Sequence, residues 1–474
     1  MLAEEKKIPG STPSLANGFS RLAVGMADWA ERWFPDAFVF ALGAIVIVFL
    51  GAIFVGEKPS NAIKYFGDGF WQLIPFTLQM AMVIIGGYVV ASSPPVGRVI
   101  QGLARIPSTP RSAVALVAFL ATTSSLLSWG FSLIFSSLLV RQIVKNVHGV
   151  DYRAASAAAY LGVCTVWALG LSSSAALMMA TQGSIPPAVL TISGRIPLTH
   201  TIFTWQSLTT ASLLILSSVA VAYFSTPAAS ETKFSKIIQE DVGLPAPQID
   251  KIARTPGEWL ENNGLLTILV CALGFAYLAR LFFIQGPLVA LDLNTYNFLF
   301  IMVGMLLHWT PRAFVRAVGA AVPATAGVLI QFPFYAGIFG IMTKSPLSSR
   351  MAEFFVGISS HGTYPLLLTI YSAILGLFVP SGGSKWIIEA PYVLAAAKQL
   401  HVNLGWVVQI YNTAEALPNL INPFWMLPLL GILNIRAREV IGYSSLYLIV
   451  NFPLVLFLMW FFARTIPYTP PGAF

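Results

Sequence analysis

Apolar stretches long enough to cross roughly 30 Å of hydrocarbon recur near 36–56, 70–92, 153–182 and 203–225. They return near 264–284, 292–309, 321–343, 404–430 and 440–463. Two further apolar regions, 111–146 and 362–398, are too long for one crossing, and each is split in its middle. The first splits at Ser128-Trp129-Gly130-Phe131-Ser132, the second at Pro380-Ser381-Gly382-Gly383-Ser384-Lys385. A polar split inside an apolar run predicts a re-entrant hairpin, two short helices that enter and leave by one face with a tip at mid-depth. Non-helical backbone is tolerated there only where it is packed in protein or lines a wet cavity. The pattern predicts an all-α polytopic membrane protein of about nine transmembrane helices plus two re-entrant hairpins. Segment 14–33 is amphipathic and predicts an interfacial helix, and 94–106 and 346–357 read as short surface helices leading into the hairpins.

The same pattern repeats. Shifting residues 35–132 by 252 positions brings Pro35 onto Pro287, Pro59 onto Pro311, Gly67 onto Gly319 and Gln79 onto Gln331. The string Ser93-Pro94-x-x-x-Arg98 falls on Ser345-Pro346-x-x-x-Arg350, and Gly130-x-Ser132 falls on Gly382-x-Ser384. Pro, Gly, Gln and Arg match without a gap while the hydropathy keeps its rhythm, the sign of duplicated halves in a secondary transporter. The expected organisation is a cytoplasmic N-terminus with its interfacial helix (1–34), then a first repeat (35–225) with hairpin 111–146. A cytoplasmic linker (226–262) and one extra span (263–285) precede a second repeat (286–474) with hairpin 362–398. Each repeat has an even number of spans, so the extra one has to turn the second repeat over. Inverted repeats then open one hairpin to each face and bring the tips together near the midplane.

Composition agrees. The chain is 56% hydrophobic and 10% charged with mean hydropathy +0.75, where soluble domains run near a quarter charged. Met1–Ser20 has no apolar core before a cleavage site, so no signal peptide is expected. The net charge of +8 is explained by Lys and Arg kept in cytoplasmic loops, with no nucleic-acid partner needed. With the N-terminus inside, the cytoplasmic pieces hold Lys6, Lys7, Arg21, Arg32 and the run from Arg98 to Arg153. That run flanks the first hairpin on both sides, as a hairpin returning to the cytoplasm requires. Cys164 and Cys271 lie inside apolar segments and read as packing residues rather than a disulfide.

Candidate chemistry gathers at the interruptions. Besides the hairpin tips, span 153–182 breaks at Gly170-Leu171-Ser172-Ser173-Ser174. Span 404–430 breaks at Asn412-Thr413-Ala414-Glu415-Ala416-Leu417-Pro418-Asn419 and again at Asn422-Pro423. A broken helix beside a hairpin tip leaves N-termini with positive partial charge, which makes a carboxylate site. The residues this singles out for substrate are Ser128, Gly130, Ser132, Ser172, Ser173, Ser174, Ser381, Gly382, Gly383, Ser384, Asn412, Thr413 and Asn419. Packing between helices in lipid is the competing use of such small residues. Charge inside a membrane is expensive and usually functional. Glu415, in the middle of its span, is the strongest ion-coupling candidate, with Asn422 beside it. As a proton carrier it would draw hydrogen bonds from Asn412, Thr413 and Asn419. Alternatively, carbonyls around Gly170–Ser174 and Pro418–Asn422 would hold Na⁺. Lys385 and Glu389 are spaced to neutralise each other. His148, His200, His308, His361 and His401 all fall at span or hairpin ends, and none pairs at metal-ligand spacing. No P-loop or dinucleotide fingerprint occurs, so no cofactor is expected beyond a coupling H⁺ or Na⁺.

Pro380-Ser-Gly-Gly-Ser-Lys-Trp-Ile-Ile-Glu-Ala-Pro-Tyr392 resembles the second-hairpin signature of the bacterial short-chain fatty acid transporters, permeases associated with acetoacetate and butyrate use. The likeness extends to Glu31-Arg32-Trp33-x-Pro35-Asp36-Ala37-Phe38, Ser128-Trp129-Gly130 and Asn412-Thr413-x-Glu415-x-x-x-Asn419. The resemblance implies a short monocarboxylate substrate, ion coupling, elevator-like alternating access and the bacterial inner membrane. A homodimer is the assembly that analogy with the wider ion-transporter superfamily offers. The chain lacks the Ser-Asn-Thr tips of that superfamily's dicarboxylate carriers, which weakens a sodium site built as theirs and favours a proton on Glu415. The leading expectation is thus a secondary transporter of short-chain carboxylates and not an enzyme. The alternatives are a carrier for another small organic anion such as a dicarboxylate, a membrane-embedded acyltransferase, and a channel. No His/Asp or Cys/His constellation stands out for the acyltransferase, and a channel needs a continuous polar pore rather than closed hairpins.

Overall fold

The computed structural model describes residues 37–226, 255–422 and 424–472. The expected interfacial helix at 14–33 and most of the linker at 226–262 lie outside the described residues. What is described is helical, with no strand among the described residues. Among the described residues, seven helices are long and apolar enough to cross a membrane, or eight if the bent pair 404–420 and 424–433 counts as one span. All nine expected spans are present as helices. Two of them, at 41–54 and 293–308, are shorter apolar helices.

The sequence repetition reappears in the helix boundaries. In the first half α1 (Ala37–Phe54), α2 (Pro59–Gly69), α3 (Ile74–Ala91) and α4 (Pro94–Leu103) lead into α5 (Pro110–Leu127) and α6 (Trp129–Asn146). Next come α7 (Tyr152–Leu161), a π turn at Gly162–Val166, a 3-10 turn at Trp167–Leu169 and the short α8 (Ser174–Ala180). After α9 (Pro187–Ser193), α10 (Trp205–Ser225), α11 (Pro256–Asn262), the lone span α12 (Leu265–Gln285) and α13 (Pro287–Ala290), the order resumes. It runs α14 (Leu293–His308), α15 (Pro311–Ala321), α16 (Ala326–Lys344), α17 (Leu347–Ile358), α18 (Tyr364–Phe378) and α19 (Gly382–Gln399). It ends with α20 (Leu404–Ala416), a 3-10 break at Leu417–Leu420, α21 (Leu427–Leu433) and α22 (Ala437–Ala463). Pro59 and Pro311, at the offset of 252, both open their helices at N1, where a missing N–H costs nothing.

Both hairpins return to where they start. Asn146, at the far end of α6, donates to the Ala104 carbonyl just ahead of α5 (3.0 Å). His361, just ahead of α18, lies 3.2 Å from the Leu400 carbonyl at the end of α19. The arms are longer than the sequence pattern implied. α5, α6 and α19 have 18 residues each, about 27 Å at 1.5 Å per residue, so a mid-depth tip requires arms that tilt or extend past the interface.

The bases of the hairpins flank opposite ends of α22, a helix about 40 Å long. Near its start, Tyr443 donates to Asp151 (3.2 Å) and Tyr152 donates to the Leu433 carbonyl (2.7 Å), beside the base of the first hairpin. Near its end, Trp406 donates to the Met459 carbonyl (3.0 Å) and Asn403 to the Pro467 carbonyl (2.8 Å), beside the base of the second. The two tips meet at one cavity.

Candidate functional site

Each interruption has a local cause. α5 stops at Ser128, whose backbone is extended (φ −158°, ψ 121°). Its hydroxyl then caps α6 by accepting from the Phe131 N–H (3.3 Å). The Trp129 N–H is taken by Ser172 Oγ (3.0 Å), so the first tip is largely capped. The second tip is open. α19 starts at Gly382 behind an extended Ser381 that supplies no side-chain cap. Among the described residues nothing accepts from the N–H groups of Gly382, Gly383 or Ser384. Such groups carry the positive end of the helix dipole.

These ends face one small cavity. Trp129 comes from the first tip, and Ser381, Gly382 and Gly383 from the second. Val163, Trp167 and Ser174 come from the first broken span, and Asn419 and Trp425 from the second. Met80 and Ile84 of α3 and Val328 and Phe332 of α16 close the other side. No described lining residue is charged. Three pairs, Met80/Phe332, Trp129/Ser381 and Trp167/Asn419, stand 252 positions apart, the offset of the sequence repetition. The indoles form a cage, with ring centres 5.1 Å apart for Trp129–Trp425 and 6.4 Å for Trp129–Trp167. Trp425 Nε1 donates to the Pro380 carbonyl (2.7 Å) and holds the second tip. A side chain at Gly382 would press into the edge of the Trp167 ring and lie 3.2 Å from Glu415 Oε2.

The family model described as Short chain fatty acid transporter matches residues 19–462. The chain belongs to this family. A relative from Escherichia coli (strain K12), provisionally named a short-chain fatty acid transporter, is 36% identical over 89% of this chain and 95% of its own length. A similarly named relative from Haemophilus influenzae is 32% identical over 93% of this chain and 99% of its own. Among solved structures, the Alcanivorax borkumensis YdaH transporter, described as having an unusual topology, aligns with TM-score 0.63 and 17% identity. It covers 92% of this chain and 100% of that one. Neisseria gonorrhoeae MtrF, described among antimetabolite efflux pumps, aligns with TM-score 0.52 and 14% identity over 95% and 99% of the two chains. At such identities these two speak for the fold alone. The chain is thus a multi-pass membrane protein of a transporter family and not an enzyme.

For this short-chain fatty acid transporter family member, the structure brings Ser174, Ser381, Gly382, Gly383 and Asn419 of the predicted set to the cavity. Asn419 is buried, with its Oδ1 unpartnered and its Nδ2 3.5 Å from the Val163 carbonyl. Ser384 sits one residue behind, accepting from Ser381 (3.0 Å). The others are engaged elsewhere. Ser132 donates to the Ala121 carbonyl across the first hairpin (2.7 Å), and Gly130 packs on α3. Ser128 and Ser172 serve the first tip, and Ser173 caps α8 by accepting from Ala176 (3.3 Å). Asn412 donates to Gln409 Oε1 (2.9 Å) and Thr413 to the Gln409 carbonyl (2.7 Å). Asn422 donates to the Leu377 carbonyl (3.1 Å), fastening the broken span to α18.

Glu415 lies behind Gly382, 1% exposed, not on the cavity wall. Neither of its carboxyl oxygens has a hydrogen-bond partner among the described residues. The expected bonds from Asn412, Thr413 and Asn419 are therefore not made, because Gln409, one turn back on α20, takes the first two. The sequence reading missed the Trp167 and Trp425 walls of the cage. Their signal was bulky aromatics placed right beside helix breaks.

Proposed function

We propose that the cavity binds a short monocarboxylate and that the chain carries it across the bacterial inner membrane. The observation that carries this is the uncapped start of α19, whose Gly382 and Gly383, with unpartnered N–H groups, line a cavity that has no charged wall among the described residues. Backbone N–H groups at a helix N-terminus hold a carboxylate without a counter-charge that would trap it. Met80, Ile84, Val328, Phe332 and the three indoles suit a short hydrocarbon tail, and no described lining residue is a cation that could hold the second carboxylate of a dicarboxylate.

The transport cycle we propose is ion-coupled, with inverted repeats and elevator-like movement. Its support is the repeated helix order, the tips meeting at one cavity, and hairpin bases at opposite ends of α22. The N-terminus is assigned to the cytoplasm on the distribution of Lys and Arg. Uptake of labelled butyrate by proteoliposomes, driven by an imposed proton or sodium gradient, tests substrate and coupling together. Absence of uptake, or competition by succinate as strong as by acetoacetate, overturns the substrate assignment. Single cysteines at Thr109 and Asn146 should label together from the cytoplasm, and those at His361 and Gln399 together from outside. Labelling from opposite sides within either pair overturns the topology.

A further inference from the structure

Behind the second tip lies a cluster of charge that anion binding does not use. Lys385 and Glu389, on successive turns of α19, are both fully buried and pair at 3.2 Å. Lys385 Nζ also donates to the Ser372 carbonyl (2.7 Å), and Glu389 Oε2 accepts from the Ser372 hydroxyl (2.6 Å). The ammonium stands 4.6 Å from the centre of the Tyr411 ring. Glu415, one turn beyond Tyr411 on α20, is buried beside Gly382 at the head of α19, with neither carboxyl oxygen partnered among the described residues. The other titratable groups facing the three are Tyr160 and Cys164 of the first broken span, Tyr411 itself, and Tyr364, Tyr371 and Tyr392 around Glu389. None of these supplies a second positive charge.

The cluster therefore sets one cation against two carboxyl groups, away from water. A net charge in such a place is strongly disfavoured. One bound proton makes it neutral. A sodium ion would need a shell of free oxygens, whereas beside Glu415 the Tyr411 hydroxyl and the Gly382 carbonyl are bonded to each other. We infer that Lys385, Glu389 and Glu415 form a buried proton-binding site that takes up one proton when an anion occupies the second tip. The step balances simply: a proton from water becomes the O–H of one of the two carboxyl groups, and no electrons move. Because the groups are coupled, the proton belongs to the cluster rather than to Glu415 alone.

The link to the tip is short. The Gly382 carbonyl accepts from Tyr411 (2.6 Å), and Glu415 Oε2 is 3.2 Å from the point where a Gly382 side chain would begin. An anion held by the Gly382–Ser384 N–H groups adds negative charge one peptide away, which favours the protonated cluster. Reciprocally, the protonated cluster favours the anion. This coupling rests on the carboxylate reading of the cavity, whereas the proton site itself does not.

Infrared titration of the full chain in nanodiscs, without substrate, reads the proton directly. The expected result is a carboxylic-acid C=O band that disappears as pH rises. Either Glu415→Gln or Glu389→Gln should remove it, because one cation then faces one carboxylate. A wild type without the band, or a band that survives both variants, overturns the site. Butyrate binding, followed by indole fluorescence, should weaken about tenfold per pH unit above the titration midpoint, and by less than about twofold in Glu415→Gln. A titrating band with butyrate binding that ignores pH overturns the coupling and leaves the proton site. A titrating band with no butyrate binding at any pH shows instead that the substrate assignment has failed. Binding that needs Na⁺ and moves no proton overturns the coupling in favour of sodium.

Discussion

The two hairpins share one sequence pattern and differ in what holds their arms together. In the first, arms α5 and α6 pack closely through small residues, and Ser132 reaches across to the Ala121 carbonyl. Most of its hydroxyls are satisfied by their own helix, as when Ser137 donates to the Leu133 carbonyl (2.6 Å). In the second, α18 and α19 are held apart by large polar side chains. Tyr364 donates to the Val393 carbonyl (2.6 Å), Tyr371 and Tyr392 share a bond (2.8 Å), and Ser372 binds the Lys385–Glu389 pair. At the equivalent positions of the first half, Lys385, Glu389 and Glu415 are replaced by Leu133, Ser137 and Val163. One tip is capped by Ser128 and Ser172, the other left open. The two supports are similar in helix order, and only the second carries charge.

The sharpest way to break this comparison is to put a methyl group on each tip. Gly382→Ala drives a Cβ into the Trp167 ring, whereas at Gly130 the nearest atom is 3.6 Å away, an ordinary contact. Butyrate uptake should fall about a hundredfold for Gly382→Ala, since displacement near a bound group by an ångström is that costly. Gly130→Ala should stay within about twofold of wild type, with size-exclusion profiles confirming folded protein. Equal losses would mean that the tips are not specialised.

The next effect is on stability. Lys385→Leu leaves two buried carboxyl groups without their cation and should cost about 3–5 kcal/mol. Adding Glu389→Ser re-creates the first hairpin's pair and should recover most of that in thermal unfolding. No recovery would show that the second hairpin needs its ion pair for folding itself. The smallest effect is Ser132→Ala, which should lower stability by about 0.5–1.5 kcal/mol and leave the KM for butyrate unchanged. A raised KM would return Ser132 to the substrate site.

The spans, the splits at Ser128–Ser132 and Pro380–Lys385, and the surface helices α4 and α17 were legible because hydrophobic length and Pro, Gly and Ser punctuation report them directly. α2 and α15 were not. They are amphipathic and short, so a search for stretches able to cross hydrocarbon passes over them. At the site, composition located the tips and breaks but not the direction each residue faces. Gly130 and Ser132 lie one and three residues beyond Trp129, which lines the cavity, yet helical rotation turns them onto α3 and α5. Asn412 and Thr413 are polar at mid-span, and Gln409 one turn back satisfies both. Hydroxyl and amide groups that look like ligands in sequence are often closed locally in a helix.

Each tip is stitched to its own broken span: Ser172 to Trp129, Leu171 to the Leu126 carbonyl (2.6 Å), Trp425 to the Pro380 carbonyl and Asn422 to the Leu377 carbonyl. Across the cavity, Met80, Ile84, Val328 and Phe332 present side chains that donate no hydrogen bond. The polar floor is thus riveted and the opposite wall is greased. Were the two to slip past each other, these four side chains would have no hydrogen bond to break, and the polar ties that would have to yield lie at the edge, where Ser184 donates to Gln79 Oε1 (2.8 Å) and the Leu293 N–H to Thr181 (3.0 Å).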